Sequence, residues 1–114
     1  MPIFEIAFRD RKLEKLCNSA KEMRGKLGPR MADKLQQRLS ELAAAETLDD
    51  MRHLPGARCH QLTADLKGRF AVDLVHPDRL VFSPDHDPVP EKDDGGLDWR
   101  GVTAICIDGV GDYH

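Results

Sequence analysis

Several features that would settle a chain's class at once are missing here. Among 114 residues there are only three cysteines, Cys17, Cys59 and Cys106. The odd count, with no Cys-x-x-Cys pair, argues against a disulfide framework and fits a reducing compartment. Cys17 and Cys106 fall in apolar patterns, where a small buried hydrophobe is the expected role. No apolar run approaches the length of a membrane span, and the first residues lack the charged-then-apolar pattern of a secretory signal. The expectation is a cytoplasmic domain with no membrane partner. There are no internal repeats.

The common signatures of cofactor and metal chemistry are absent as well. Cys59-His60 together with His53 lacks the paired, fixed spacing of a structural zinc site. The acids Asp85, Asp87, Glu91, Asp93 and Asp94 lack the ligand spacing of a helix–loop–helix calcium site, and prolines interrupt them. Gly109-Val110-Gly111 precedes no helix, so it is not a phosphate loop. No Gly-x-Ser-x-Gly elbow occurs. The sequence therefore calls for neither a metal nor a cofactor.

What is present suits one modest core. Hydrophobic residues make up 40% of the chain and charged residues 32%, an ordinary balance for a soluble domain spanning residues 1–114. The net charge of −3 hides an asymmetry. Residues 1–39 hold ten Lys/Arg against five Asp/Glu, whereas residues 40–114 hold seven against fifteen. Much of the deficit lies in Pro84–Asp98, with six acids and one lysine. The chain reads as a weakly basic body carrying an acidic loop insertion at 84–98, exposed and mobile by its composition.

Periodicity supplies the elements. Phe4, Ile6 and Phe8 alternate in a strand over Pro2–Phe8. Asp10 is a candidate cap for a helix over Asp10–Lys26, in which Leu13, Leu16, Cys17, Ala20, Met23 and Leu27 recur at helical steps. Gly28-Pro29 stops it and starts a second helix over Pro29–Ala45, with Met31, Leu35, Leu39 and Leu42 as its stripe. Thr47–Asp50 reads as a single turn capped by Thr47. From Leu54 to Phe82 three short strands form a meander, most clearly where Phe70, Val72 and Leu74 alternate with Ala71 and Asp73. A last strand covers Gly101–Asp108. Helices followed by strands predict an α+β fold, with an N-terminal strand and a two-helix hairpin packed on one side of a mainly antiparallel four- or five-stranded sheet. Leu16, Ala20, Leu35, Leu39, Leu42, Phe70, Val72, Leu80 and Phe82 are the expected core. His60, Lys67, Arg69 and Arg79 are expected on or beside one face of the sheet.

The order Leu54-Pro55-Gly56, His60-Gln61-Leu62, Gly68-Arg69-Phe70-Ala71-Val72, Asp78-Arg79-Leu80-Val81-Phe82 and a terminal Asp112-Tyr113-His114 resembles the RelE superfamily of toxins. Within it, the HigB-like plasmid maintenance killer branch of type II toxin–antitoxin systems is the closest, and Thr47–Arg52 is similar to that branch's linker. The resemblance implies a RelE-like fold and an endoribonuclease, an mRNA interferase that cleaves messenger RNA on the ribosome. It also implies a helix-turn-helix, HigA-like antitoxin as partner. Cleavage would be metal-independent acid/base transesterification. By the same resemblance His60, Arg79, Tyr113 and His114 take catalytic places. His60 is suited to exchange protons and Arg79 to hold phosphate.

This chain departs from the branch at two positions. Thr63 stands where a lysine is common, and Val75 where a second arginine often lies. Lys67 and Arg69 are nearby cations that would bind substrate in partial compensation. The alternative function is a toxin-fold binding module that pairs with a helix-turn-helix repressor and has lost cleavage.

Overall fold

The computed structural model describes residues 4–112. The strand β1 spans Glu5–Phe8. Helix α1 (Arg11–Cys17) follows, with the Asp10 Oδ1 accepting the Leu13 N–H at 2.8 Å, so Asp10 caps as the sequence predicts. The single helix expected over Asp10–Lys26 is in fact two. Asn18 ends α1, and the Ser19 hydroxyl accepts the Glu22 N–H at 3.2 Å to start α2 (Ala20–Leu27). A serine side chain that satisfies an orphan helical N–H competes with continued helix, and here it wins over an apolar stripe that runs through the break. Helix α3 (Pro29–Ala44) begins at Pro29, after Gly28 at φ 84. Proline suits a first helical position and glycine the left-handed one.

A 3-10 segment, Leu48–His53, leads into the meander. Thr47 makes no side-chain cap bond there. The Asp50 carboxylate instead accepts the Glu46 N–H at 2.8 Å. Strands β2 (His60–Gln61), β3 (Phe70–Asp73) and β4 (Arg79–Pro84) follow, then β5 (Ala104–Gly111). The five strands form one sheet in the order β1-β5-β4-β3-β2. It is mixed, because β1 runs parallel to β5 while the other pairs are antiparallel. The last strand lies three residues beyond its expected position. Trp99–Gly101 is a 3-10 turn, and β5 runs on through Gly109 to Gly111, past a register shift opposite Val81/Phe82.

One sheet face is packed. Phe70, Val72, Leu80, Phe82, Ile105 and Ile107 join Met23, Ala32, Leu35 and Leu42 of the helices in the core. Leu48 and Met51 of the 3-10 segment enter the same cluster. Leu16 and Leu39 reach it only partly, and Ala20 is exposed, because the break at Asn18 turns the first residue of α2 outward. Of the nine expected core residues these are the three that differ.

The acidic stretch is more ordered in its bonding than its composition predicts. Asp98 N–H donates to the Pro90 carbonyl at 3.0 Å and Lys92 N–H to the Gly96 carbonyl at 2.7 Å, closing a small antiparallel turn around the Glu91–Leu97 bridge. The His86 Nε2 accepts the Thr103 N–H at 3.1 Å. Trp99, just after the stretch, sets its edge on Phe70 with centroids 5.0 Å apart, and the Arg52 guanidinium lies 4.9 Å from the Trp99 ring centre. Asp85, Asp87, Glu91, Asp93 and Asp94 stay exposed, while Asp98 is half-buried. No helix among the described residues is long and apolar enough to cross a membrane.

Candidate active face of the sheet

The sheet face away from the helices carries the polar residues. His60 pairs with Ala71, Ala71 with Val81, and Val81 with Gly109. This row is the middle of the face, and its floor is made of small side chains. Side chains two residues apart on a strand share a face. Asp73 and Arg79, themselves partners in the register, therefore lie to one side of the row, and Arg69 to the other.

His60 is oriented by backbone. Its Nδ1 lies 2.7 Å from the Arg58 carbonyl oxygen. A carbonyl only accepts, so Nδ1 carries the proton and donates it, and in the neutral ring Nε2 keeps its lone pair. That is the tautomer a general base needs.

Arg58 itself was not legible in the sequence as a site residue. It sits at φ 49, in the left-handed region that a side chain with a Cβ disfavours. Its side chain is 73% exposed, and its Nε lies 3.5 Å from Asp73 Oδ2. The other oxygen of Asp73 is 4.0 Å from the Arg79 Nε. A chain of contacts thus runs from His60 through the Arg58 backbone and side chain to Asp73 and Arg79. Across the sheet, His60 and Arg79 lie two strands and two residues apart, about 10 Å by about 7 Å. Two guanidiniums share the Asp73 carboxylate, and Asp78 lines the same cavity, so the formal charges of the group balance. Half-exposed ion pairs of this kind are worth about 0–1 kcal/mol, so an arriving phosphate can displace them. Beside them is a cavity of about 150 Å³ lined by Arg58, Asp73, His76, Asp78 and Arg79 among others.

The remaining sequence candidates fall elsewhere. The Arg69 Nε is 3.9 Å from Asp108 Oδ2, at the far side of the central row. Lys67 is exposed in the β2–β3 connection, after the Ala64–Leu66 turn. Thr63 opens that same connection, and Val75 lies in the β3–β4 turn closed by Asp78 N–H to the Val75 carbonyl at 2.9 Å. Neither Lys67 nor Arg69 joins the Arg58–His60–Arg79 group. Tyr113 and His114 lie outside the described residues. Among the described residues, no three His, Cys, Asp or Glu side chains converge as metal ligands.

Cys59, beside His60, is not a nucleophile in waiting. Burial pushes its thiol up to about 12, against a smaller opposing pull from Arg52. The thiolate is the reactive form, and it is scarce at neutral pH.

Residues 6–91, most of the chain, match the family model of HigB-like toxins, described as RelE-like toxins of type II toxin–antitoxin systems. The match ends within the acidic stretch and does not include β5. No curated protein matches the chain significantly. The matched span covers the helices, the meander, His60 and Arg79, and the family implies an antitoxin partner. The fold, the span of the match and the meander that carries the polar face agree, and the chain belongs to the HigB-like family of RelE-like type II toxins.

Proposed function

We propose that the protein is a cytoplasmic endoribonuclease that cleaves messenger RNA on the ribosome and is neutralised by a helix-turn-helix antitoxin. The observation that supports this reading is the line of contacts from the His60 ring, through the Arg58 carbonyl and guanidinium, to Asp73 and Arg79. In the proposed reaction His60 Nε2 takes the proton of a ribose 2′-hydroxyl. The 2′-oxygen then attacks the adjacent phosphorus, and the bond from phosphorus to the 5′-oxygen breaks. The leaving 5′-oxygen gains a proton, a role the resemblance gives to His114, with Tyr113 stacked on a base. Arg58 and Arg79 meet the charge that grows on the phosphoryl oxygens, which is where fixed cations contribute most. Arg58 takes over the work of the cations missing at Thr63 and Val75. Lys67 and Arg69 guide flanking RNA rather than the scissile phosphate.

The test is cleavage of ribosome-bound message by the purified protein and by three variants. His60→Ala should lose about 10²–10⁴-fold, the range for a positioned acid/base. Arg58→Ala and Arg79→Ala should each lose about tenfold or more, as a hydrogen bond to a charged group is worth about 1.5–3 kcal/mol. Intact messages with the unaltered protein would reject the reading. A second reading, the binding module without cleavage, is favoured by one observation: both arginines of the group are already engaged with Asp73. It expects the antitoxin complex to form normally while message stays whole.

A further inference from the structure

Arg38 is the one buried charged side chain among the described residues. It stands on α3, on the packed side of the sheet, and its side chain is 5% exposed. Its Nε donates to the Asp73 carbonyl at 2.7 Å, its Nη2 to the Gly56 carbonyl at 2.7 Å, and its Nη1 to Glu41 Oε1 at 2.9 Å. Burying a guanidinium costs free energy unless its donors are matched, and an apolar side chain of similar volume fills such a space at lower cost. What an apolar side chain cannot do is bond two carbonyls from separate segments. Those two segments are the ones that carry the site. Gly56 is two residues before Arg58, and Asp73 is the carboxylate shared by Arg58 and Arg79. A further bond, Asp73 N–H to the Ala57 carbonyl at 2.8 Å, links the same segments directly. The left-handed conformation at Arg58 persists only if its surroundings hold it.

We propose that Arg38 is a positioning residue: from behind the sheet it fixes the spacing of the Gly56–Arg58 segment and the end of β3, and so sets where the Arg58 and Arg79 guanidiniums meet a phosphate. The catalytic part of this rests on the ribonuclease reading; the geometric part does not. Lysine at this place keeps the charge but not the planar fork, and one ammonium does not reproduce the two carbonyl bonds.

The experiment compares Arg38→Lys and Arg38→Gln in the full chain with the unaltered protein. Amide hydrogen exchange is expected to quicken at Asp73 and Ala57, whose N–H groups donate to the Ala57 and Leu54 carbonyls, by about tenfold or more relative to core amides such as that of Leu80. The kcat for ribosome-bound message is expected to fall by about tenfold to a hundredfold, with KM nearly unchanged, because a small misplacement of a catalytic group has effects of that size. A folded variant with an unaltered kcat and unaltered exchange overturns the proposal and leaves the ribonuclease reading standing. If the unaltered protein cleaves nothing, that reading falls by itself, and exchange alone decides. Quickening confined to Asp73 and Ala57 then supports the positioning role, and a uniform change across the core overturns it. Failure of both variants to fold also overturns it, in favour of a purely architectural clamp.

Discussion

Asp73 and Arg79 face one another across β3 and β4, with Arg79 Nε 4.0 Å from one oxygen of a carboxylate whose other oxygen is 3.5 Å from Arg58. The carboxylate gathers the two cations and at the same time competes with any phosphate they would hold. Asp73→Asn removes the competitor and leaves the backbone bonds to Arg38 and Ala57 in place. RNA binding is expected to tighten at low salt, with the gain shrinking as salt rises, since the Debye length falls from about 30 Å at 0.01 M to about 10 Å at 0.1 M. A salt series of binding measurements checks this. Weaker binding by the variant at every salt concentration would show that Asp73 serves to orient the arginines rather than to restrain them.

Thiol chemistry gives an independent check on the site. Cys59 neighbours His60 in sequence, but burial holds its thiol at about 12, and burial likewise holds Cys17 at about 11. Cys59→Ala is expected to leave message cleavage intact, and alkylation of the native protein with iodoacetamide at neutral pH is expected to be slow at both positions. Peptide mapping after a timed reaction reads both. Rapid labelling of Cys59 would contradict its burial.

The break between α1 and α2 depends on Ser19. Ser19→Ala is expected to lower stability by about 0.5–2 kcal/mol, the usual cost of losing such a cap. Denaturant unfolding of the two proteins measures it. An unchanged midpoint would mean that the break is held by packing alone.

Glu22 stands in the same first turn and pairs with Lys26 at 3.3 Å and Lys15 at 3.4 Å. Its carboxyl is held below its ordinary range, first by the hydrogen bond from Lys26 and then by that from Lys15. A carboxyl whose folded pKa is depressed contributes stability above its unfolded pKa and loses that contribution as pH falls through the folded value. The melting-temperature gap between the native chain and Glu22→Gln is therefore expected to close on going from about pH 7 to about pH 3. A gap that stays constant over that range would remove the two lysines as the cause.

The acidic stretch leaves β4 at Pro84, the end of that strand opposite Arg79. Its charges therefore act on the Arg58–Arg79 pair over a distance on the order of the strand's length, about 17–20 Å. Neutralising Asp93 and Asp94 with asparagine is expected to tighten RNA binding only at low salt, where screening is weak at that range. Substitution is the informative change here. Removing the whole stretch also removes His86, which accepts the Thr103 N–H, and the turn that delivers Trp99 to Phe70.

Local pattern carried the meander. Phe70 and Val72, on the face packed against the helices, alternate with the smaller Ala71 and the polar Asp73, and that alternation is visible in the residues alone, although Ala71 is buried as well. The pairing of β1 with β5 was not visible, since nothing near Ile6 signals a partner about a hundred residues away. The helix break had a local sign, Ser19 followed three residues later by Glu22, but an unbroken apolar stripe spoke against it. His60 and Arg79 were found through resemblance, and the contacts place them at the two ends of one chain of groups. Arg58 was missed because its importance lies in a backbone carbonyl and an unusual φ, neither of which a side-chain pattern records. Arg38 was missed because a lone arginine on an amphipathic helix reads as wet surface.

The parallel pairing of β1 with β5 also sets an order in time. Glu5 finds its partner at Ala104, and β5 lies between β1 and β4. The strand most distant in sequence from β1 is thus the one that joins it to the rest of the sheet. Until it is in place, β1 has no strand beside it and β4 lacks one neighbour, and closing contacts between the two ends of a chain carries a large loop-entropy cost. A chain in which β5 has not yet docked lacks the strand that completes the floor beside Val81. The polar face is therefore a late product of folding, assembled only once residues 104–111 have joined two strands that lie far apart in sequence.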